Sequence, residues 1–393
     1  MRAGTMEMLG ELDPYTDFIP EEDMDDYRMQ TTGKYGGIGA VIGTRGEWVI
    51  VTEPYEGFPA MKSGLMAGDR ITEVDGKSAK NYKTDQVSAM LKGKPGTEVV
   101  VKIKRPNAAG GEDDLTVKMV REEIKIKNVP YYGIVEGNIG YIRLSNFTDD
   151  AGKEVHDALE DLKANNPGLK GLVFDLRGNP GGLLAEAVNV SNVFVDKNQE
   201  IVSTKGKVKE WDKTFKTLNS AVDANIPIAI LVNRSSASAS EIVAGALQDH
   251  HRGLVMGERS FGKGSVQSVL PLTRDTGLRL TVARYHLPSG RSVQEGGIKP
   301  DVRVPQLTDP DYKKRVSVRE SDLRRHLVNE LKDNSKDLEE DRIDDPRFAM
   351  TAEQLKAKGI DDFQLYYAME TLQRLGSKTM KLAAKPVKGR AQN

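Results

Sequence analysis

The stretch that decides the fold runs Ile226-Pro227-Ile228-Ala229-Ile230-Leu231-Val232, then Asn233-Arg234-Ser235-Ser236-Ala237-Ser238-Ala239-Ser240-Glu241, then Ile242-Val243-Ala244-Gly245-Ala246-Leu247. The first run, apolar and β-branched, reads as a buried strand, and Ala237 to Leu247 reads as a helix. A strand that turns directly into a helix through small residues leaves unpaired N–H groups pointing outward, with the positive end of the helix dipole behind them. Outward from this point the same unit recurs: strand Ile139 to Leu144, helix Ala151 to Ala164, strand Gly171 to Leu176, helix Leu183 to Val193, and strand Leu254 to Met256. This alternation predicts an α/β domain with a largely parallel sheet, its ligand site beyond the carboxyl ends of the strands. Residues Asp196 to Asp223, with two β-like runs and many lysines, interrupt the alternation and predict a hairpin over one face.

Toward the amino terminus, Tyr35 to about Val120 is a series of short β-rich runs between Gly- and Pro-marked turns, a small β-dominated domain. Within it, Thr84 to Lys92 spaces Val87, Met90 and Leu91 as one short amphipathic helix. Residues 1–33 read as an acidic lead-in segment with helical stretches before Pro14 and near Glu21 to Arg28. Ser317 to Leu375 reads as charged helices, and the tail from Lys378 to Asn393 is basic and expected to be disordered. The predicted boundaries are 1–33, a β domain over 34–122, an α/β core over 123–306, a helical extension over 307–377 and a tail over 378–393. The fold class is α/β and β, multidomain.

The 393 residues suffice for two or three units with ordinary cores. Lys plus Arg (57) nearly balance Asp plus Glu (58), which removes the broad positive field expected of a nucleic-acid binder. With no Cys, disulfides, thiolate metal sites and cysteine nucleophiles are excluded. No apolar run approaches the length of a membrane span, and Met1 to Leu12 lacks the order of a signal peptide, so the start reads as that of a trimmed chain.

Three polar stretches follow successive core strands and should converge at one sheet edge: Arg177 to Gly182, Asn233 to Glu241, and Gly257 to Gly264. The last nearly matches a P-loop, but Gly264 stands where the magnesium-binding hydroxyl belongs and the following residues look like strand. Gly37-Ile38-Gly39 lacks the third glycine of a dinucleotide fingerprint. The serine cluster suits an acyl-transfer nucleophile at a helix start. Its base is not found among His156, His250, His251, His286 and His326, none of which adjoins a glycine-framed site. Lys263, between Gly262 and Gly264, is the better candidate, although a neutral lysine at pH 7 needs its pKa lowered by roughly three units through burial. A surface lysine on a glycine loop stays open as the alternative.

Six separated motifs occur in order: Tyr35-Gly36-Gly37-Ile38-Gly39, Gly64-Leu65 through Gly68-Asp69 to Asp75-Gly76, Asp175 to Gly182, Ser236 to Glu241, Phe261-Gly262-Lys263-Gly264, and Gly297-Ile298-Lys299-Pro300-Asp301. On these the chain, from about Leu12 to Gln306, resembles the carboxyl-terminal processing peptidases, or tail-specific proteases. The resemblance implies a crotonase-like protease core with Ser238 as nucleophile, Lys263 as base, Gln267 orienting the lysine, and the amides of Gly178 and Ala239 as oxyanion hole. Ser235, Ser236 and Ser240 then become structural, and Asp249 is read as structural too, partnered by the following His-His-Arg. The β domain resembles a PDZ module, with Gly36, Gly37, Ile38 and Gly39 offering amides to a peptide's terminal carboxylate and Val87, Met90 and Leu91 receiving its last side chain. Implied partners are unfolded or tailed proteins and peptides, with no nucleic acid and no metal or organic cofactor. The implied location is periplasmic, or otherwise outside the cytoplasmic membrane. The resemblance leaves open a homo-oligomer and a membrane anchor lost with the start. Two rivals remain at this stage: a silent or resting-state peptide-binding scaffold, and an acyl-thioester enzyme on the same type of core.

Overall fold

Ile228–Val232 lies inside a sheet that, among the described residues, has six strands in the order Tyr131–Val135, Ile139–Arg143, Gly171–Asp175, Ile228–Val232, Leu254–Gly257, Val302–Arg303. The first pair is antiparallel and every other neighbour is parallel. The structure is a computed structural model that describes residues 2–312, 318–329 and 345–377. Both faces of the sheet are covered, which is why its strands are continuous apolar runs instead of alternating ones. On one face Ile142, Leu172, Phe174 and Ile230 meet Leu159, Phe194, Val243 and Leu247 from the helices Ala151–Asn165, Leu184–Phe194 and Ala239–Asp249. On the other, Tyr141, Val173 and Leu231 meet Phe363, Ala368 and Leu372 of the helix Phe363–Ser377. The extension is therefore part of the core, closing a face that would otherwise expose the sheet. Among its described residues are the short turn Glu320–Asp322 and the helices Ala352–Ala357 and Phe363–Ser377; the parts of the expected helical stretch over 313–317 and 330–344 lie outside the described residues. The expected disordered tail over 378–393 lies outside the described residues.

A second, antiparallel sheet joins Asp17–Ile19, Gly277–His286, Glu200–Gly206 and Lys213–Lys216, with Ser265–Pro271 also on Gly277–His286. The hairpin expected between Asp196 and Asp223 is the pair Glu200–Gly206 and Lys213–Lys216. The lead-in holds its two expected helices, Arg2–Gly10 and Glu21–Thr32, and adds an element that was not expected. Its residues Asp17–Ile19 form a strand on Gly277–Arg279, and residues 1–24 belong to one compact unit with 128–393. Three residues carry too little periodicity to be seen as a strand; pairing to a distant edge makes them one.

The second unit is 25–127. Ala40–Arg45, Trp48–Pro54, Arg70–Val74, Glu98–Pro106 and Glu112–Val120 form its antiparallel sheet, with the helices Pro59–Lys62 and Thr84–Leu91. Lys34–Gly37 pairs with Glu122–Lys125 and closes the unit's ends together. The β domain thus runs a few residues past its expected limit at 122. Val49, Val51, Ile71, Val99 and Val101 form a core of its own. No helix among the described residues is long and apolar enough to cross a membrane.

Candidate active site

Ser238 sits between the strand Ile228–Val232 and the helix Ala239–Asp249 with φ 55° and ψ −113°. A non-glycine residue in that region is strained by about 1–3 kcal/mol and persists only where neighbours hold it. They do so here through the other serines. Ser236 Oγ donates to the Leu176 carbonyl at 2.8 Å and Ser240 Oγ to that of Asn179 at 2.9 Å, stitching the turn to the Arg177–Gly182 loop. Both are buried, while Ser238 is half-buried.

Glu241, fully buried one turn into the helix, binds both halves of the candidate dyad. Its Oε2 accepts the N–H groups of Ser238 at 2.8 Å and Lys263 at 2.9 Å; its Oε1 accepts Ser260 Oγ at 2.5 Å and the Gly262 N–H at 2.7 Å. Burial pushes this carboxyl up to about 7 while the four donors pull it down. Ser260 Oγ in turn accepts the Ile298 N–H at 2.6 Å, so the Gly297 to Asp301 motif braces the same loop.

Lys263 is half-buried, and its Nζ lies 4.1 Å from the centroid of the Tyr15 ring. Burial lowers its pKa below the ordinary value; Glu320, Glu241 and Asp13 pull upward and Arg279 downward. Among the described residues no hydrogen bond joins its Nζ to Ser238 Oγ. Catalytic hydrogen bonds are often long without substrate. Among the described residues Gln267 makes no hydrogen bond to the lysine: its Nε2 donates to Ser265 Oγ at 3.0 Å and Thr281 Oγ1 at 3.2 Å. Spacing by four would stack two side chains on a helix, but Ser265–Pro271 is a strand, which spreads them apart.

Of the two expected oxyanion donors, Ala239 has an N–H without a partner among the described residues. The Gly178 N–H instead donates to Asn233 Oδ1 at 3.0 Å, and Gly178 is exposed. The backbone that does cross the nucleophile is one step further on. A Cβ on Gly181 would stand 2.9 Å from both the Ala239 nitrogen and Ser238 Cβ, and the next amide, of Gly182, makes no backbone hydrogen bond among the described residues. The histidines lie elsewhere: His250 on the Glu200 carbonyl, His326 on Glu295, His156 on exposed Asp157. Asp249 accepts the Ser289 N–H and pairs with Arg291, and not with the expected His-His-Arg.

In the second unit the strand Ala40–Arg45 pairs with Trp48–Pro54 alone and leaves its other edge open among the described residues. The Ile38 and Gly39 carbonyls accept from Ala60 and Tyr55, while their own amides have no partner there. Gly36 and Gly39 are glycines by necessity: a Cβ on Gly36 would lie 2.0 Å from the Gly93 oxygen, and one on Gly39, at φ 73°, 2.6 Å from Phe58. Gly37 is in the strand paired with Glu122. Val87 and Leu91 are buried in the core, and Met90 is half-buried beside it.

Residues 138–304 match peptidase family S41, and residues 50–105 match the PDZ domain. Over 323 residues the chain is 42% identical to the carboxy-terminal-processing protease of Bartonella bacilliformis, covering 81% of this chain and 73% of that protein. The chain belongs to peptidase family S41. This S41 chain is also 38% identical over 295 residues to a probable CtpA-like serine protease of Staphylococcus aureus (strain COL), of which it spans 57%. The solved photosystem II D1 C-terminal processing protease shares 33% identity at a TM-score of 0.47, over 77% of this chain and 81% of that one.

As an S41 member the protein is a serine-type peptidase, and the thioester-enzyme rival finds no support in its relatives. Sequence reading used Glu241 only as a marker for counting back to the serine; its place in that motif was the available signal for its role. It missed Asp13, Tyr15, Thr281, Gln294 and Glu320 altogether. They come from segments far apart in the chain and have no shared spacing.

Proposed function

We propose that this S41 peptidase cleaves unfolded or tailed polypeptides through an acyl-enzyme on Ser238, with its PDZ unit docking apolar C-terminal tails. Neutral Lys263 takes the Ser238 hydroxyl proton as Oγ attacks the scissile carbonyl. The oxyanion forms at the start of the helix Ala239–Asp249, where the Ala239 N–H and the helix dipole face it, with the Gly182 amide as the neighbouring donor. Collapse expels the amine, which takes the proton from Lys263. Water then adds to the acyl-enzyme with Lys263 again as base, releasing the new carboxyl terminus and free Ser238. The observation that carries this reading is the Glu241 carboxylate, which holds the backbones of Ser238 and Lys263 through a single oxygen, Oε2. In the PDZ unit the open edge of Ala40–Arg45 and the free amides of Ile38 and Gly39 support strand addition by a peptide whose carboxylate meets that loop. A location outside the cytoplasmic membrane is proposed with it, and cell fractionation checks that part.

The test is cleavage of an unstructured polypeptide with an apolar C terminus by the wild type and by Ser238→Ala. Cleavage by the wild type alone, with tail binding in both, is the expected result. Cleavage by both, or by neither, overturns the reading.

A further inference from the structure

Lys263 works as a base only if something keeps water and strong acceptors from its amine. We infer that Tyr15 is the positioning residue that does this, its ring laid over Lys263 and its hydroxyl tethered to Glu320 in a closed belt around the lysine loop. The inference rests on the dyad reading above.

The belt can be followed bond by bond. Tyr15 is held by its backbone: its N–H goes to Asp13 Oδ1 at 2.8 Å and its carbonyl accepts Arg279 Nε at 3.0 Å, with the strand Asp17–Ile19 docked just beyond. Its hydroxyl donates to Oε2 of Glu320, a residue 305 positions away and fully buried. Glu320 Oε1 accepts Gln294 Nε2 at 3.0 Å, and Gln294 Oε1 accepts the Gly264 N–H at 3.0 Å. The Glu320 N–H donates to the Phe261 carbonyl at 3.3 Å. The path that starts on the face of Lys263 therefore returns to its own loop on both sides, at Phe261 and at Gly264. Gln267 enters the same system: it donates to Thr281 Oγ1, which donates to Asp13 Oδ1 at 3.0 Å. Through Thr281 it is linked to Asp13, the anchor of Tyr15.

A buried carboxylate beside the lysine would by itself favour the charged amine. The belt engages both Glu320 oxygens with other donors; the Tyr15 face attracts an ammonium, but it also helps bury Nζ, and burial is the larger effect on the lysine. The charged groups around Nζ are Glu320, Arg279, Glu241 and Asp13, and burial outweighs the net pull of the acids. Burial and Glu320 also raise the Tyr15 phenol far above its ordinary value, so it remains a donor throughout the working range. Without the ring, water reaches Nζ and the lysine holds its proton to higher pH.

The experiment compares wild type, Tyr15→Leu and Tyr15→Phe in two measurements. In the first, the acid limb of kcat/KM should move up by about one pH unit in Tyr15→Leu, with kcat about tenfold lower at pH 7 and KM little changed. Tyr15→Phe, which keeps the ring but not the tether, should fall between the two. In the second, in a Ser238→Ala background, the pH dependence of Lys263 acetylation by acetic anhydride is read by mass spectrometry against exposed Lys207. The Lys263 midpoint should lie below that of Lys207 and rise toward it in Tyr15→Leu. An unchanged midpoint in Tyr15→Leu overturns the inference, and should that variant not fold, Tyr15→Phe with a wild-type midpoint and kcat does so. The labelling needs no turnover, so a wild type that cuts nothing would sink the dyad reading while the role of Tyr15 is still decided.

Discussion

At the residue scale the site depends on groups whose local preferences it violates. Ser238 is held at positive φ, and Glu241 is a carboxylate with no exposure to water. The two are tied together: the carboxylate accepts the amide that the strained turn turns inward. Glu241→Gln keeps the volume but points an NH2 at a ring of donors, and each unsatisfied buried donor costs about 1–3 kcal/mol. The expected result is a fall in kcat of at least about a hundredfold with a clearly lower Tm, read by peptide cleavage and thermal melting. Protonation does the same chemistry reversibly. Burial sets Glu241 near 7, so as the pH falls through that value one oxygen becomes a donor with only donors to face. Lys263 gains its proton in the same direction. The pH profile of kcat/KM should therefore rise from pH 5 to above 7; a flat profile across that range contradicts both roles.

At the element scale two loops and one helix are locked to each other. The Arg177–Gly182 loop passes over the start of the helix Ala239–Asp249 so closely that Gly181, at φ 99°, has no room for a side chain. Gly181→Ala would place a methyl 2.7 Å from the Ala237 oxygen and 2.9 Å from the Ala239 nitrogen, where the substrate oxyanion is proposed to sit. Turnover should drop at least about tenfold through kcat, as measured with saturating peptide. The same loop anchors the helix Phe363–Ser377. Arg177 pairs with Asp175 at 2.6 Å and with Asp362 at 2.7 Å, and Asp362 also accepts the Leu365 N–H at 3.0 Å as the helix begins. Burial works against the charged Asp362, but Arg177, Gln306 and the Leu365 amide outweigh it and hold its pKa below the usual carboxylate range. A depressed carboxyl stabilises the fold above its unfolded pKa of about 3.9, and that contribution is lost as the pH falls through the lower folded value. Asp362→Asn should cost about 2 kcal/mol at neutral pH and flatten the acid side of the stability curve, seen by urea unfolding at pH 7 and pH 3.

At the scale of the whole molecule two units with separate cores divide the work, one formed by residues 25–127 and the other by the rest. Val87 and Leu91 belong to the PDZ unit's core and Met90 is only half-buried, so under the proposed tail docking Met90 is the one of the three open to a peptide side chain. Met90→Glu should weaken binding of an apolar tail peptide about tenfold with little change in Tm, by calorimetric titration; unchanged binding would remove this helix from the groove. The parallel sheet, its helices, the β domain and the serine and lysine motifs were legible because each is written in consecutive residues, as apolar periodicity or as a glycine-marked turn. The oxyanion geometry was not, since which of Gly178, Gly181 and Gly182 faces Ser238 depends on how the loop folds back. Nor was the strand at Asp17–Ile19, whose pairing partner is some 260 residues away. The sequence by itself thus determined the family, the order of the elements and the candidate nucleophile and base. Tertiary structure alone decided what surrounds the Lys263 loop, because Tyr15, Glu241, Gln294 and Glu320 reach it through packing and buried hydrogen bonds, which have no period along the chain.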